Sequence, residues 1–473
     1  MFGVDSLDLE AVYRRLPVFL QHVGCSLVGW HTERTRYGHG FDHVLADAVS
    51  RTWWSAEELA AFRDNRLIGH VQNAVHTSSF YRDRFREAGV IPTEVRTVDD
   101  LASLPVLTKA EVQDYAAELS SSAPMTSETR MAHTSGTTGG ALRFHVTMNA
   151  IREQWAVWWR YRSWHGIRKG SWCGLFAGRS VVPTTQTQPP FWRINHPGRQ
   201  VLFSGYHLSP ENLPRYMREL RRRRLPWLHG YPSLLALVAT YLIDSGDDLG
   251  YEVRWVTTGA ENLLPQQAAV IERAFGARPI QHYGLAEGTA NISQCELGTL
   301  HVDEDFAMVE FIPIGRDNLY RIVGTNFANP ATPLLRYDTQ DLAVLREGAS
   351  CECGRAGRIV ERVDGRLEDY VVLRNGARIG RMDHIFKDMI NVREAQIHQA
   401  RRGEITIRLV RGEGYGSNDE ESILTETVKR VGNETKIRIE YVNALPRSAT
   451  GKLRFVVSDL AEASIEEFPA ARA

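Results

Sequence analysis

The hydrophobic period changes twice along the chain, which confines it to a mixed architecture of more than one unit. The first third reads as helical. Ser55-Ala56-Glu57-Glu58 and Thr108-Lys109-Ala110-Glu111 have the form of capping boxes, in which a hydroxyl and a carboxylate three residues on satisfy free backbone N–H groups, and each opens an amphipathic run. Between residues 128 and 147 the period falls to two: Leu142, Phe144 and Val146 alternate with polar residues, a strand following a Ser/Thr/Gly loop. Helical spacing returns with Ile151, Trp155, Trp158 and Trp159. Ser209-Pro210 reads as an N-cap with Pro at the first helical position, opening a helix that runs into Arg221–Arg224 and stops before Pro226. Beyond it, helices alternate with short strands such as Glu252–Thr257 and Pro279–Tyr283, the grammar of an α/β lobe.

The C-terminal hundred residues follow a different pattern. Ile405, Ile407 and Leu409 alternate in one strand and Ile437, Ile439 and Tyr441 in another. Between them lies a helix with a capping box at Ser417-Asn418-Asp419-Glu420 and a stop at Gly432-Asn433. That is a small α+β unit with its own potential core. A boundary near Gly365-Arg366 divides the 473 residues into a large lobe, 1–365, and a small unit, 366–473.

Composition excludes several classes. With 43% hydrophobic and 24% charged residues the chain is neither disordered nor fibrous. The 56 Lys+Arg against 57 Asp+Glu leave a net charge of -1, so no global attraction draws it to nucleic acid or an acidic membrane, and neither is expected as a partner. The Arg221–Arg224 run reads as a solvated helix end beside its negative dipole. Five cysteines, an odd number, cannot form a disulfide framework. The opening MFGVDSLDLEAVYRR carries early acids and no secretory apolar stretch, and the longest apolar run, Leu234 to Ile243, is half the roughly 20 residues that cross a bilayer. The expectation is a cytoplasmic protein, its oligomeric state open and a homodimer included.

The strongest local signal is His133-Thr134-Ser135-Gly136-Thr137-Thr138-Gly139-Gly140. Glycines let the backbone approach a ligand, hydroxyls add donors, and successive N–H groups make a concavity suited to pyrophosphate. A flexible hairpin turn would have the same composition. It is not a Walker A loop, because no Gly-Lys-Ser/Thr follows.

Three further segments follow in order: Tyr283-Gly284-Leu285-Ala286-Glu287, Arg336-Tyr337-Asp338-Thr339-Gln340-Asp341, and Pro446-Arg447-Ser448-Ala449-Thr450-Gly451-Lys452. With the glycine loop, they resemble the signature motifs of adenylate-forming enzymes: acyl-CoA synthetases, peptide-synthetase adenylation domains and luciferases. The resemblance spans roughly residues 55 to 455. The length, Gly230-Tyr231-Pro232-Ser233 and the cysteines look most like the phenylacetate-CoA ligase branch and its capsule-biosynthesis relatives.

The resemblance implies a large multi-layer α/β N-terminal lobe and a small mobile α+β C-terminal domain. It implies that a carboxylic acid attacks the α-phosphate of ATP, giving an acyl-adenylate and pyrophosphate. Thr134, Ser135, Gly136, Thr137, Thr138 and Gly139 would hold the β- and γ-phosphates, and Glu287 the Mg²⁺ that bridges phosphate oxygens. Gly259, Ala260, Glu261, Tyr283 and Gly284 would enclose the adenine, Asp341 would accept from the ribose hydroxyls, and Arg366 would serve ribose and phosphate. Lys452, a flexible ammonium on a glycine-containing loop, would meet the charge that builds at the α-phosphate. Glu368 would be the hinge about which the small domain turns, bringing Arg374–Gly380 to the site. Coenzyme A is then the expected acceptor of an aromatic or small apolar acyl group. The alternatives are an amine, a carrier-protein thiol or another acceptor. A non-catalytic nucleotide-binding protein is disfavoured by Glu287, Asp341 and Lys452 together.

The chain departs from the family pattern at three places. Ala141-Leu142 stands where Pro-Lys is common, Gln340 where glycine precedes the ribose aspartate, and Glu368 where Asp or Lys marks the hinge. Arg374, Arg378 and Arg381, beside Gly376 and Gly380, suit coenzyme A phosphates or simply an exposed hairpin.

Two further constellations remain. Cys295, His301, Cys351 and Cys353 are a soft-to-borderline donor set for tetrahedral Zn²⁺, structural because four protein ligands leave no open position; the alternative is unrelated thiols and a histidine. Six of the eleven tryptophans lie between Trp155 and Trp192. Helical spacing assigns Trp155 and Trp158 or Trp159 to the core; an aromatic wall for the acyl group, with Tyr231 and His282, is the other reading.

Overall fold

The computed structural model describes the chain apart from residues 1–11, 123–127, 134–141, 178–180, 210, 262, 264, 315–317, 347, 349, 365–370, 380–381, 387–390, 413, 444, 447–454 and 461–473. The helical first third is present, and both capping boxes form: Ser55 opens Ala56–Thr77 and Thr108 opens Lys109–Asp114. The strand Arg143–Thr147 pairs antiparallel with Thr129–His133, ending at His133 opposite Arg143, so the Ser/Thr/Gly loop joins two paired strands.

A twelve-stranded sheet spans the large lobe. In one half, Cys173–Ala177, Gln200–Ser204, Trp227–Gly230, Trp255–Thr258 and Pro279–Gly284 run parallel, with Trp192–Asn195 as an antiparallel edge. The helices Leu213–Arg223, Pro232–Asp244 and Pro265–Phe275 supply buried faces to a core containing Phe176, Phe203, Tyr216, Leu235, Val256 and Ile271. Strands buried on both faces carry apolar runs, as Val201-Leu202-Phe203 does. The other half is antiparallel, running from Asn291–Gln294 through Leu300–Val302, Ile359–Asp364, Tyr337–Leu345 and Leu319–Asn326 to Ala307–Pro313. Pro279–Gly284 is the seam, parallel to one neighbour and antiparallel to the other.

The C-terminal unit has a separate core. Its sheet runs in the order Lys436–Tyr441, Glu404–Arg411, Val392–Arg401, Val456–Ser458, and the helix Ser417–Val431 lies over it. Ile405, Ile407 and Leu409 are buried on one face, as their alternation requires. The boundary expected at Gly365-Arg366 lies outside the described residues.

Three local expectations shift. The helix expected at Ser209-Pro210 begins at Leu213, with Pro214 in its first turn; the Ser209 carbonyl accepts the Asn212 and Leu213 N–H groups in a leading turn. The C-terminal capping interaction sits one residue earlier, where Asp419 accepts the Gly416 N–H at 2.9 Å. The strand expected over Glu252–Thr257 is Trp255–Thr258. The Arg221–Arg224 run does end its helix, with Arg221 paired to Asp247 and Arg222 and Arg223 to Glu219.

Candidate functional site

Several of the described candidates stand where parallel strands end, the position at which open α/β sheets bind ligands. Trp227–Gly230 leads to Tyr231, Trp255–Thr258 to Gly259-Ala260-Glu261, and Pro279–Gly284 to the turn bearing Glu287. Gly230 must be glycine: a Cβ there would stand 2.2 Å from the Phe176 carbonyl oxygen of the adjacent strand. Ala260 is held at φ 70°, a left-handed conformation that costs a residue with a Cβ roughly 1–2 kcal/mol.

The ribose motif reaches this place through a bulge. Arg321 pairs with Leu342 and Val323 with Asp338, so Thr339-Gln340-Asp341 stand opposite Ile322 alone. Thr339 Oγ1 pins the bulge, donating to the Ile322 carbonyl at 2.8 Å and accepting the Asp341 N–H at 3.1 Å. Gln340 takes φ 62°, which explains why glycine suits this position and why the departure is tolerated at a cost. Ahead of the bulge, the buried Arg336 pairs with Glu310 at 2.7 Å and donates to the carbonyls of Ala102 and Leu104, tying the motif to the helical layer. The bulge brings Asp341 to Tyr283, whose hydroxyl donates to Oδ2 at 2.9 Å. Burial, reinforced by that carboxylate, holds the Tyr283 phenol well above its ordinary range, so it remains a donor.

Glu287 is buried, and its turn is fixed from outside: Asn326 Nδ2 donates to the Glu287 carbonyl at 3.2 Å. The same segment grips the strand after the glycine loop. The His145 N–H donates to Thr332 Oγ1 at 3.1 Å, and Asn329 Nδ2 donates to the His145 carbonyl at 2.8 Å. Residues 326–332 therefore place the acidic turn and the base of the glycine loop in one frame.

His282 is less open than expected of a substrate contact. Its ring stacks on Tyr161, centroids 4.8 Å apart, and Nε2 bonds Asn291 Oδ1 at 2.8 Å. Asn291 Oδ1 also accepts Trp158 Nε1–H at 2.9 Å, so as an acceptor it assigns the proton to His282 Nε2. Burial lowers the imidazole to about 3, leaving it neutral. Trp159 is buried in the core as its spacing predicted, while Trp158 reaches the His282 cluster. The helix carrying these rings is anchored by Arg160, which pairs with Asp303 and Asp305, each at 2.7 Å. No spacing or composition signals Asn291, Asn326 or the Arg160 pairs.

The four metal candidates do converge. All their donor atoms lie within 4.8 Å of one another. Cys295 Sγ and Cys351 Sγ are 3.9 Å apart, and Cys353 Sγ and His301 Nε2 are 3.4 Å apart. Zn–S and Zn–N bonds at a tetrahedral angle give edges of about 3.8 and 3.6 Å, so the set fits the ion. His301 Nδ1 lies 3.3 Å from the Gly357 carbonyl, the outer contact that aims Nε2 inward. The Thr134–Gly139 loop, Arg366, Glu368, Arg381 and Lys452 lie outside the described residues. The segment bearing Arg374 is a hairpin, Val371–Val372 paired with Arg378–Ile379, with Arg374 exposed.

Residues 371–459 match the CapK C-terminal domain. The chain is 24% identical over 460 residues to Protein CapK of Staphylococcus aureus, covering 96% of this chain and 100% of the relative. It is 25% identical over 347 residues to phenylacetate-coenzyme A ligase of Escherichia coli (strain K12), covering 68% and 74%. The chain is thus similar to CapK along nearly its whole length and to phenylacetate-CoA ligases over about two thirds of it, the resemblance that the motifs led one to expect. Its fold is that of 2-hydroxyisobutyryl-CoA ligase in complex with 2-HIB-AMP and CoA, with a TM-score of 0.55, 20% identity and coverage of 86% of this chain and 91% of that one. The two likenesses are uneven: CapK matches end to end, the phenylacetate-CoA ligase over two thirds.

Proposed function

We propose that this protein is an ATP-dependent carboxylate–AMP ligase that activates an aromatic or small apolar acid and passes the acyl group to coenzyme A. The observation that carries the proposal is the frame made by residues 326–332, which fastens Glu287 and the base of the glycine loop together. Beside it stands the Tyr283–Asp341 pair, joined by a 2.9 Å hydrogen bond.

In this reading Tyr283 and Gly259-Ala260-Glu261 border the adenine, and Asp341, oriented by Tyr283, accepts from the ribose hydroxyls. Thr134–Gly139 hold the terminal phosphates. The buried Glu287 carboxylate fits Mg²⁺, an oxygen-seeking ion that neutralises phosphate charge when bound there. Lys452 meets the negative charge that develops as the acid's oxygen displaces pyrophosphate. The Cys295, His301, Cys351 and Cys353 set would hold Zn²⁺ in a structural role, stapling the region after Glu287 to the loop after Asp341. Arg366 serves the ribose and phosphate side, and Glu368 is the hinge. The small domain beginning at residue 366 carries the second half-reaction, and the protein works in the cytoplasm.

A second reading has its own support. The unit that would present the acceptor matches the CapK C-terminal domain, and phenylacetate-CoA ligase relatives reach only part of the chain. Transfer to an amine or another acceptor is therefore the alternative. Acids are screened by pyrophosphate release, then the active acid is offered coenzyme A and amines separately and the products weighed. A thioester supports the first reading; an amide without thioester replaces it with the second.

A further inference from the structure

The helix Val18–Arg36 covers the edge of the twelve-stranded sheet and leaves an apolar face exposed among the described residues. Its inner side is polar and small. Ser26 Oγ donates to the Ile194 carbonyl at 3.2 Å, His22 Nδ1 accepts the Ile194 N–H at 3.1 Å, and Gln21 Oε1 accepts Arg193 Nε–H at 2.6 Å. Gly29 lets the helix close on the strand, since a Cβ there would fall 1.8 Å from Asn195 Oδ1. These contacts cap an edge that would otherwise expose unpaired backbone groups.

The outer side inverts the usual pattern of a surface helix. Phe19, Val23, Leu27 and Trp30 are 65%, 49%, 62% and 53% exposed, with Leu20 beside them. At 100° per residue they form one stripe, about 16 Å long at 1.5 Å per residue. No acidic residue occurs from Val12 to Thr32. Exposed arginines bound the stripe at both ends: Arg15 before it and Arg34 at its end, the latter's guanidinium 5.5 Å from the Trp30 ring centroid.

Charge selects the occupant. A second copy of this helix, laid parallel or antiparallel, would set arginine ends against arginine ends with Glu33 as the one acid in the helix. An anionic lipid surface offers both what the stripe and what the arginines lack. Aromatic and aliphatic side chains enter the headgroup boundary while each basic residue gains roughly 1 kcal/mol from the surface potential. Among the described residues no helix is long and apolar enough to cross a membrane, so the contact lies in the interface plane. We propose that the outer face of Val18–Arg36 docks the protein reversibly on anionic membrane surfaces. The near-zero net charge, from which no membrane partner was expected, conceals this local pattern.

The test is cosedimentation of the full chain with vesicles of phosphatidylcholine alone or with about 30% phosphatidylserine. The expected result is binding to the anionic vesicles that weakens with salt. It falls at least ~10-fold in Phe19→Ser/Leu27→Ser/Trp30→Ser and in Arg15→Glu/Arg34→Glu. Both variants should keep the wild-type thermal transition, because the substituted side chains face outward. Failure to bind anionic vesicles overturns the proposal. So does undiminished binding by both variants, or a dimer that the triple substitution dissolves in place of vesicle binding. Binding that appears only after deletion of residues 1–11 also overturns it, showing that the chain covers its own stripe.

Discussion

Tyr283 on the seam strand and Asp341 in the antiparallel half of the sheet, 58 residues apart, are joined by a 2.9 Å hydrogen bond. The bond exists because a bulge carries Asp341 out of its ladder. A hydrogen bond of this kind contributes about 0.5–1.5 kcal/mol, so Tyr283→Phe should raise the KM for ATP roughly 2–10-fold. The exchange rate at saturating ATP should stay within about twofold, because in the proposed reading the phenol orients Asp341 toward the ribose and holds no reacting atom. Steady-state pyrophosphate exchange separates the two effects; a large fall at saturation would mean a chemical role for the phenol.

Gln340 at φ 62° stores strain that glycine would release. Relief of roughly 1–2 kcal/mol, less about 0.5–1 kcal/mol for the freer unfolded chain, predicts that Gln340→Gly stabilises the protein by about 0.5–1 kcal/mol. Gln340→Val should destabilise it, since a β-branched residue tolerates this conformation least. Urea unfolding of both variants measures the difference. Equal destabilisation by the two would show that the glutamine side chain, not the backbone, governs the position.

The purified protein should contain about one zinc per chain, and Cys351→Ser with Cys353→Ser should lose both metal and thermal stability, because a closed four-ligand site couples binding to folding. Elemental analysis of protein prepared without chelators decides this. A metal-free preparation with an unchanged melting temperature would leave four ordinary side chains.

Acid should unfold the protein steeply. Burial depresses His229 and His282 to about 3 and His70 and His207 to about 4. Each is neutral when folded and takes a proton below its ordinary value of 6.5 when unfolded, so this stability is complete above that pH and lost as pH falls towards 4. With up to four protons taken up, the slope approaches about 5 kcal/mol per pH unit near pH 5. His70→Gln should remove roughly a quarter of it, measured as melting temperature against pH. An unchanged slope would show that His70 does not titrate in this window.

Much of this was legible because the signals were local. The capping hydroxyls of Ser55 and Thr108 and the alternation at Ile405 to Leu409 each declare themselves within a few residues. The Cys/His set was legible from ligand chemistry, though its two halves lie some fifty residues apart in the chain. What stayed hidden depends on register. The bulge that turns Asp341 is a mismatch between two strands, and Asn291 earns its place by meeting Trp158 and His282 across different elements. The start at Leu213 stays hidden because a second proline, Pro214, follows Pro210 four residues on, and local pattern does not choose between them.

The most direct test of the central claim is acid-dependent ATP–pyrophosphate exchange in the wild type and in Lys452→Ala, with nucleotide binding measured in parallel. The wild type should exchange with at least one aromatic or small apolar acid. The variant should bind ATP normally yet lose exchange by roughly 10²-fold or more, the scale for removing a charge partner of the transition state. Exchange close to wild type in Lys452→Ala, or none with any acid in the wild type, would contradict the account.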